Sequence, residues 1–205
     1  MKEKITPAKQ KNPSLLSEFL SYVETLLIMC FCMMMLFTFV LRLISVDGDS
    51  MQNTLQSGDC VVINQLSQSY KTGDIIVADA DKAVIYDNEG ELSVRAGLGI
   101  TIIKRVIATG GQTIDIDFKS GKVTVNGQVL KEDYLTLGMT HLDEGAFTGK
   151  YPVVVPEGYV FVMGDHRSVS KDSRSLDVGF VPEECIRGKV LLRYLPIRDF
   201  TLLTA

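Results

Sequence analysis

Three short stretches of the chain carry residue types that could do nucleophilic chemistry. Ser50 stands in VDGDSMQNTL, Lys104 in ITIIKRVIATGG, and residues 163–174 read MGDHRSVSKDSR. A serine hydroxyl is inert until a neighbouring base takes its proton, so Ser50 becomes a nucleophile only with a partner from elsewhere in the chain. Two bases are available. His166 would give a Ser/His pair with one of several aspartates, and Lys104 would give a Ser/Lys dyad. Period-2 alternation places Ile102, Lys104 and Val106 on one strand face and Arg105 on the other, so the lysine has apolar neighbours on its own side. Burial of that kind is what a lysine base needs: half-neutrality near pH 7.4 takes a drop of about 3 pKa units, roughly 4 kcal/mol of disfavoured charge. His166 lies instead beside a polar turn, and the alternation favours Lys104. Each motif also has a plain structural reading: GDSM as a turn serine, Lys104 as a lysine snorkelling at a strand edge, and 163–174 as an exposed polar loop. Within that loop Asp165, Arg167, Asp172 and Arg174 are spaced to pair, with Arg105 as a further partner. Such a network would fix the loop against the lysine strand and let Ser170 hydrogen-bond the lysine amine.

The elements that must position these residues read as strands. DCVVINQ (59–65), DIIVADA (74–80), KAVIYD (82–87), ITIIKRVIA (100–108), QTIDIDF (112–118), GKVTVNG (121–127), YVFVMG (159–164) and GKVLLRYL (188–195) are short, β-branched and bounded by turn formers. Asn126-Gly127 after KVTV is a hairpin signal, because that pair supplies the positive φ values of a tight turn. No stretch after the N-terminal region shows sustained helical periodicity, so the fold class is all-β. Residues 131–158, with Gly, Asp, Glu and Thr and few apolar residues, read as a surface insertion.

Ahead of the strands, Thr25 to Leu41 is an uncharged run of 17 residues, extended by Tyr22, Val23 and the LIS after Arg42. At about 1.5 Å per residue it spans roughly 25 Å, enough for one membrane crossing with Glu24 and Arg42 snorkelling at its ends. A cleavable signal peptide would carry a shorter apolar stretch ending in small residues, whereas RLISVDGDS follows here. The organisation expected is a cytoplasmic tail at 1–21, a transmembrane anchor at 22–45 and a β domain at 46–205. Lys2, Lys4, Lys9 and Lys11 precede the run and Asp47, Asp49 and Asp59 follow it, which puts the N-terminus in the cytoplasm and the β domain outside. Ser50 then acts close to the bilayer surface.

Composition narrows the function. With 46% hydrophobic and 22% charged residues the 205-residue chain folds, and its net charge of −4 gives no basic field for nucleic acid. Cys30 and Cys32 lie inside the apolar run, Cys60 and Cys185 stand far apart, and His141 and His166 are the only imidazoles, so neither a disulfide scaffold nor a zinc spacing is present.

The order of an anchor, GDSMQNTL, KRVIATGGQT, VNG and MGDHRSVSKDSR resembles bacterial type I signal peptidase (leader peptidase) in its small single-anchor Gram-positive form, over about residues 20–196. The resemblance implies a bent, mostly antiparallel β fold and a serine endopeptidase that removes signal peptides from preproteins at the outer face of the membrane. It implies Ser50 as nucleophile, Lys104 as general base, Ser170 orienting the lysine, and Asp172, Arg174 and Arg105 as a supporting ion network. Met51 and Ile102 would line the substrate cleft, and no metal or cofactor is required. Implied partners are preproteins with N-terminal signal peptides, the lipid bilayer and the secretion translocon, with no nucleic acid. Asn53 stands where the family usually has Pro and His166 where it usually has Asn. Gly48 stands where some members carry a hydroxyl for the oxyanion, a task left here to the backbone N–H of Ser50 and a backbone contribution near Gly48, with Asp49 pointing away. Two other readings are compatible with parts of the pattern. One is a Ser/Lys autoprotease of the LexA repressor kind, against which the anchor and the lack of a DNA-binding headpiece argue. The other is a catalytically inactive membrane-tethered β module, against which intact Ser50, Lys104 and Ser170 argue.

Overall fold

In the computed structural model, which describes residues 15–135 and 140–203, the chain divides into two compact units that meet between Phe39 and Val40. The first unit's described part is helix α1, Leu15–Phe39. Its 25 residues give a length of about 38 Å, its most apolar window has a mean hydropathy of 2.0, and none of its residues is buried in the protein. By length and composition it can cross a membrane.

The helix begins earlier and ends earlier than the expected anchor at 22–45. Leu15, Leu16, Phe19 and Leu20 extend its apolar surface N-terminally. The stretch Leu41–Ser45, expected as the end of the anchor, is strand β1. It pairs antiparallel with β2, Leu41 opposite Asn64 through Ser45 opposite Cys60, so its backbone is satisfied by a sheet and Ile44 packs on a core cluster.

The strands of the second unit are β1 (Leu41–Ser45), β2 (Cys60–Asn64), β3 (Ile75–Asp79), β4 (Lys82–Tyr86), β5 (Leu92–Ala96), β6 (Thr101–Thr109) and β7 (Thr113–Asp117). They continue with β8 (Lys122–Val125), β9 (Gln128–Val129), β10 (Val153–Val154), β11 (Tyr159–Met163), β12 (Val181–Pro182), β13 (Ile186–Leu195) and β14 (Thr201–Leu202). The main sheet runs β1-β2-β13-β3-β6-β11-β12 with β14 on β13; a second runs β10-β7-β8-β9, and β4-β5 is a hairpin. Among the described residues the pairings between these strands are antiparallel. The all-β expectation therefore holds, and each of the eight expected strands is present. The β8–β9 hairpin turns on Asn126 (φ 51°) and Gly127 (φ 76°), as the Asn-Gly pair requires.

Three apolar clusters hold the unit together, and each bears on the site. Val46, Met51, Leu55, Val61, Ile63, Ile75, Val77 and Val190 pin the turn that carries Ser50. Ile76, Ile102, Val106, Val160 and Val162 line the lysine's face of β6. The third cluster is built on Phe147, Phe161 and Phe180, with Phe147 and Phe180 ring centres 4.7 Å apart. It corrects the reading of 131–158 as a surface insertion. Ala146, Phe147, Val153 and Val155 from that stretch are buried core, and Thr140 is buried as well. Its apolar residues are few, but they are the ones that fill the space between the two larger sheets.

Candidate active site

Ser50 lies in a turn just beyond β1, closed by hydrogen bonds from Gln52 N–H to Asp49 O and from Leu55 N–H to Met51 O. Met51 and Leu55 anchor this turn because their side chains enter the first cluster. Asp49 is engaged away from the serine, accepting a bond from Gln52 Nε2 at 2.8 Å. Gly48 is at φ +89°, a conformation that favours glycine, and its N–H points to Ser57 Oγ at 3.4 Å.

Strand β6 brings Lys104 to this turn. Lys104 Nζ lies 2.7 Å from Ser50 Oγ and donates to Ile103 O at 3.1 Å. The lysine is only 5% exposed, between Ile102 and Val106, which are both buried. Burial lowers its pKa from the ordinary lysine value, against the pull of the Asp172, Asp165 and Glu144 carboxylates. An amine of this kind, held at hydrogen-bond distance from a hydroxyl, can accept the hydroxyl proton.

The loop 163–174 closes behind the pair. His166 N–H donates to Ser50 O at 3.0 Å, so the main chain of this loop, and not the imidazole, holds the serine's backbone. Arg105 grips Asp165 through both Nε (2.8 Å) and Nη2 (2.6 Å), and Thr54 of the serine turn bonds the same carboxylate. Asp172 and Arg174 form a second forked pair at 2.8 Å, both fully buried. In Asp172 burial pushes the carboxyl pKa up, but the Arg174 charge, its hydrogen bonds and the Gly164 N–H prevail and leave it below the ordinary carboxylate value. Arg167, expected to pair within the loop, turns instead to Glu132.

One expected contact is not made. Ser170 is fully buried, its hydroxyl beside Asp172, and it forms no hydrogen bond to Lys104, whose bonds go to Ser50 and Ile103. The loop packs so tightly here that Gly164 has no room for a side chain. A Cβ at Gly164 would lie 2.2 Å from Ser170 Oγ and 2.4 Å from Ser50 O. Gly164→Ala should therefore cost about 1–3 kcal/mol of stability or displace the serine backbone. Thermal unfolding and turnover, measured together, check this, and a variant with both unchanged would contradict the packing.

Ser50 and Lys104 open onto a cleft of about 380 Å³. One wall is Ile44, Ser45 and Val46; the other is Thr101 to Lys104, with Val169 above. Both walls are strand edges. β1 ends the main sheet, and on the side of β6 away from β3 the strand β11 pairs only with Arg105–Thr109, leaving Thr101–Lys104 uncovered. Ile102 and Met51 line this cleft, although Met51 is 1% exposed and contributes only its floor.

Residues 19–195 match the family described as Signal peptidase, peptidase S26. The chain belongs to this family. It is 31% identical over 173 residues to "Signal peptidase IB" of Staphylococcus aureus (strain Mu50 / ATCC 700699), covering 79% of this chain and 82% of that protein. It is 37% identical over 156 residues to "Probable signal peptidase I-1" of Synechocystis sp., covering 74% and 69% respectively. Among solved structures, a signal peptidase I from Enterococcus faecalis V583 is 26% identical, with a TM-score of 0.43 over 59% of this chain and 96% of that one. Membership makes the chain a serine endopeptidase of signal-peptide removal.

Sequence reading missed several residues that shape the site of this signal peptidase. Thr54 and Gly164 stand inside motifs already singled out, four positions from Ser50 and six from Ser170 respectively. Glu132, Tyr134 and Glu144 come from 131–158. Tyr134 covers Arg105, ring centre 4.0 Å from the guanidinium carbon, and its hydroxyl bonds Glu132.

Proposed function

We propose that the chain is a membrane-anchored signal peptidase that works by a Ser50/Lys104 dyad at the outer face of the membrane. Neutral Lys104 takes the Ser50 proton, and Ser50 Oγ attacks the carbonyl carbon of the scissile peptide. The Ser50 N–H stabilises the developing oxyanion, with a backbone contribution near Gly48. The lysinium then protonates the leaving amine, and water, deprotonated by Lys104, releases the acyl group and restores the serine. The observation that carries this reading is the 2.7 Å approach of Nζ to Oγ with the amine held among apolar side chains.

The substrate is a preprotein with an N-terminal signal peptide, bound extended between the two free strand edges. Their unpaired N–H and C=O groups match a peptide main chain, and the apolar walls suit small side chains. Ser170, Asp172, Arg174 and Arg105 act through the loop that holds Ser50 and Lys104 in register. Helix α1 is the anchor, with the lysines before it on the cytoplasmic side. A further feature supports seating at the bilayer surface: Leu43, Val62, Leu192 and Leu202 stand in one cross-strand row over β1, β2, β13 and β14, with Leu43 and Leu202 exposed.

The reading is tested by incubating the purified full chain with a preprotein and sizing the product. Release of the signal peptide is expected. A preprotein left intact by folded enzyme would sink the proposal. Orientation is tested separately by adding protease outside intact protoplasts. The β domain should be digested without lysis, and full protection would reverse the topology.

A further inference from the structure

Among the described residues, the buried charges around the dyad fall into pairs with two members left over. Arg105 takes Asp165, Arg167 takes Glu132 and Arg174 takes Asp172, each through at least one short contact. The remaining cation is Lys104 and the remaining carboxylate is Glu144. Glu144 approaches no closer than 3.9 Å to Arg174, whose fork is already filled by Asp172. The cluster is therefore electrically balanced when Lys104 carries its proton and holds one excess negative charge when Lys104 is the free base. With its side chain 15% exposed, Glu144 is poorly placed to have that excess screened by water.

We propose that the Glu144 carboxylate, left over from the arginine pairs, sets by its negative charge the pH at which Lys104 becomes available as a base. This rests on the dyad reading above. The charged groups facing Lys104 are Asp172, Asp165, Glu144 and Arg174. Those facing Glu144 are Asp172, Arg174 and, at the surface, Lys171, with Ser175 bonding its carboxylate. Burial keeps the nearby Tyr151, which faces Asp143, Asp172 and Arg174, a neutral phenol. Of the carboxylates acting on the lysine, Asp165 and Asp172 are each locked in a forked arginine pair, so Glu144 is the one whose charge can be removed without orphaning an arginine. The assignment places an unexpected task on the stretch 131–158: it supplies a carboxylate that holds the proton on the lysine.

The sign follows directly. A negative charge favours lysinium, so neutralising Glu144 lowers the pH at which Lys104 loses its proton. In Glu144→Gln the rising limb of kcat/KM against pH should move about half a pH unit to the acid side, giving about threefold more activity low on that limb. Glu144→Asp keeps the charge and should keep the wild-type limb. A merely structural role would lower turnover at every pH, or move the limb to the alkaline side as water enters. The experiment measures pH profiles of the full-length enzyme on a signal-peptide cleavage substrate for wild type, Glu144→Gln, Glu144→Leu and Glu144→Asp. An acid shift in either neutral variant, absent in the Asp variant, supports the assignment. An unmoved or alkaline-shifted limb overturns it, as does loss of folded protein in both neutral variants while the Asp variant folds. A wild type without a rising limb, or a turnover that survives Lys104→Ala, overturns the dyad reading beneath it. A wild-type limb with an unmoved Gln variant removes the Glu144 assignment alone.

Discussion

Ser50→Ala and Lys104→Arg should each reduce kcat/KM on a preprotein by about 10⁴-fold or more, while the melting temperature stays near that of the wild type. The serine variant removes the attacking atom. The arginine variant keeps length and positive charge but replaces an amine that can lose its proton with a guanidinium that effectively never does. Burial between Ile102 and Val106 lowers the Lys104 pKa from the ordinary lysine value, and in the proposed dyad its neutral form is the reactive one. Activity must therefore climb as pH rises through that lowered value and fall away below it. His166→Ala should be mild by comparison, within about tenfold, because Ser50 is held by the His166 main-chain N–H, which alanine retains. If His166→Ala were as inactive as Ser50→Ala while Lys104→Ala kept its turnover, a Ser/His mechanism would replace the dyad.

The residues that meet in this test were legible because each sits in a local pattern with its own physical signature. Lys104 could be placed on an apolar strand face from alternation alone, since Ile102 and Val106 are its i±2 neighbours. Leu41–Ser45 was not legible as a strand. Apolar Leu41, Leu43 and Ile44 fall on both its faces, so LRLIS has no alternation to separate it from the membrane run before it. Phe147 was missed for a different reason: it enters the core from a turn, next to Ala146 alone, and so short a buried stretch leaves no period in the sequence. Glu132 finds its partner in Arg167 and Glu144 comes within 3.9 Å of Arg174, each some thirty residues away. Nothing local distinguishes such carboxylates from solvated ones. Ser170 shows the opposite case: it packs near Ser50, but the hydrogen bond to Lys104 expected from its motif is replaced by close packing against Gly164.

Arg174→Met should be the most damaging of the substitutions that leave Ser50 and Lys104 in place. Arg174 Nε and Nη2 hold Asp172, and its other N–H groups donate to Leu142 O, Arg167 O and Ser170 O. Methionine can fill the volume but strands Asp172 without its cation, removes the positive charge 3.9 Å from Glu144 and leaves three carbonyls without this donor. Removing one partner of a buried pair costs about 3–5 kcal/mol, which for a domain of this size lowers the melting temperature by on the order of 10 °C. Asp172→Asn should cost less, because Arg174 keeps Glu144 and the carbonyls. The two variants also differ in how the loss depends on pH. In the wild type the Asp172 pKa lies below its unfolded value, so its contribution is present above the unfolded pKa of about 3.9 and lost as pH falls through the lower folded value. In Arg174→Met the guanidinium charge and its two hydrogen bonds are lost, burial prevails over the main-chain N–H groups of Gly164 and residue 174 and the neighbouring Ser170 hydroxyl, and the sign reverses: the folded state holds the proton more tightly than the unfolded one. The variant's deficit should therefore shrink as pH is lowered from 7 towards 4. Melting temperatures of wild type and Arg174→Met measured across that range decide it, and a deficit that stays constant or grows on acidification would show that Arg174 is not what keeps Asp172 ionised.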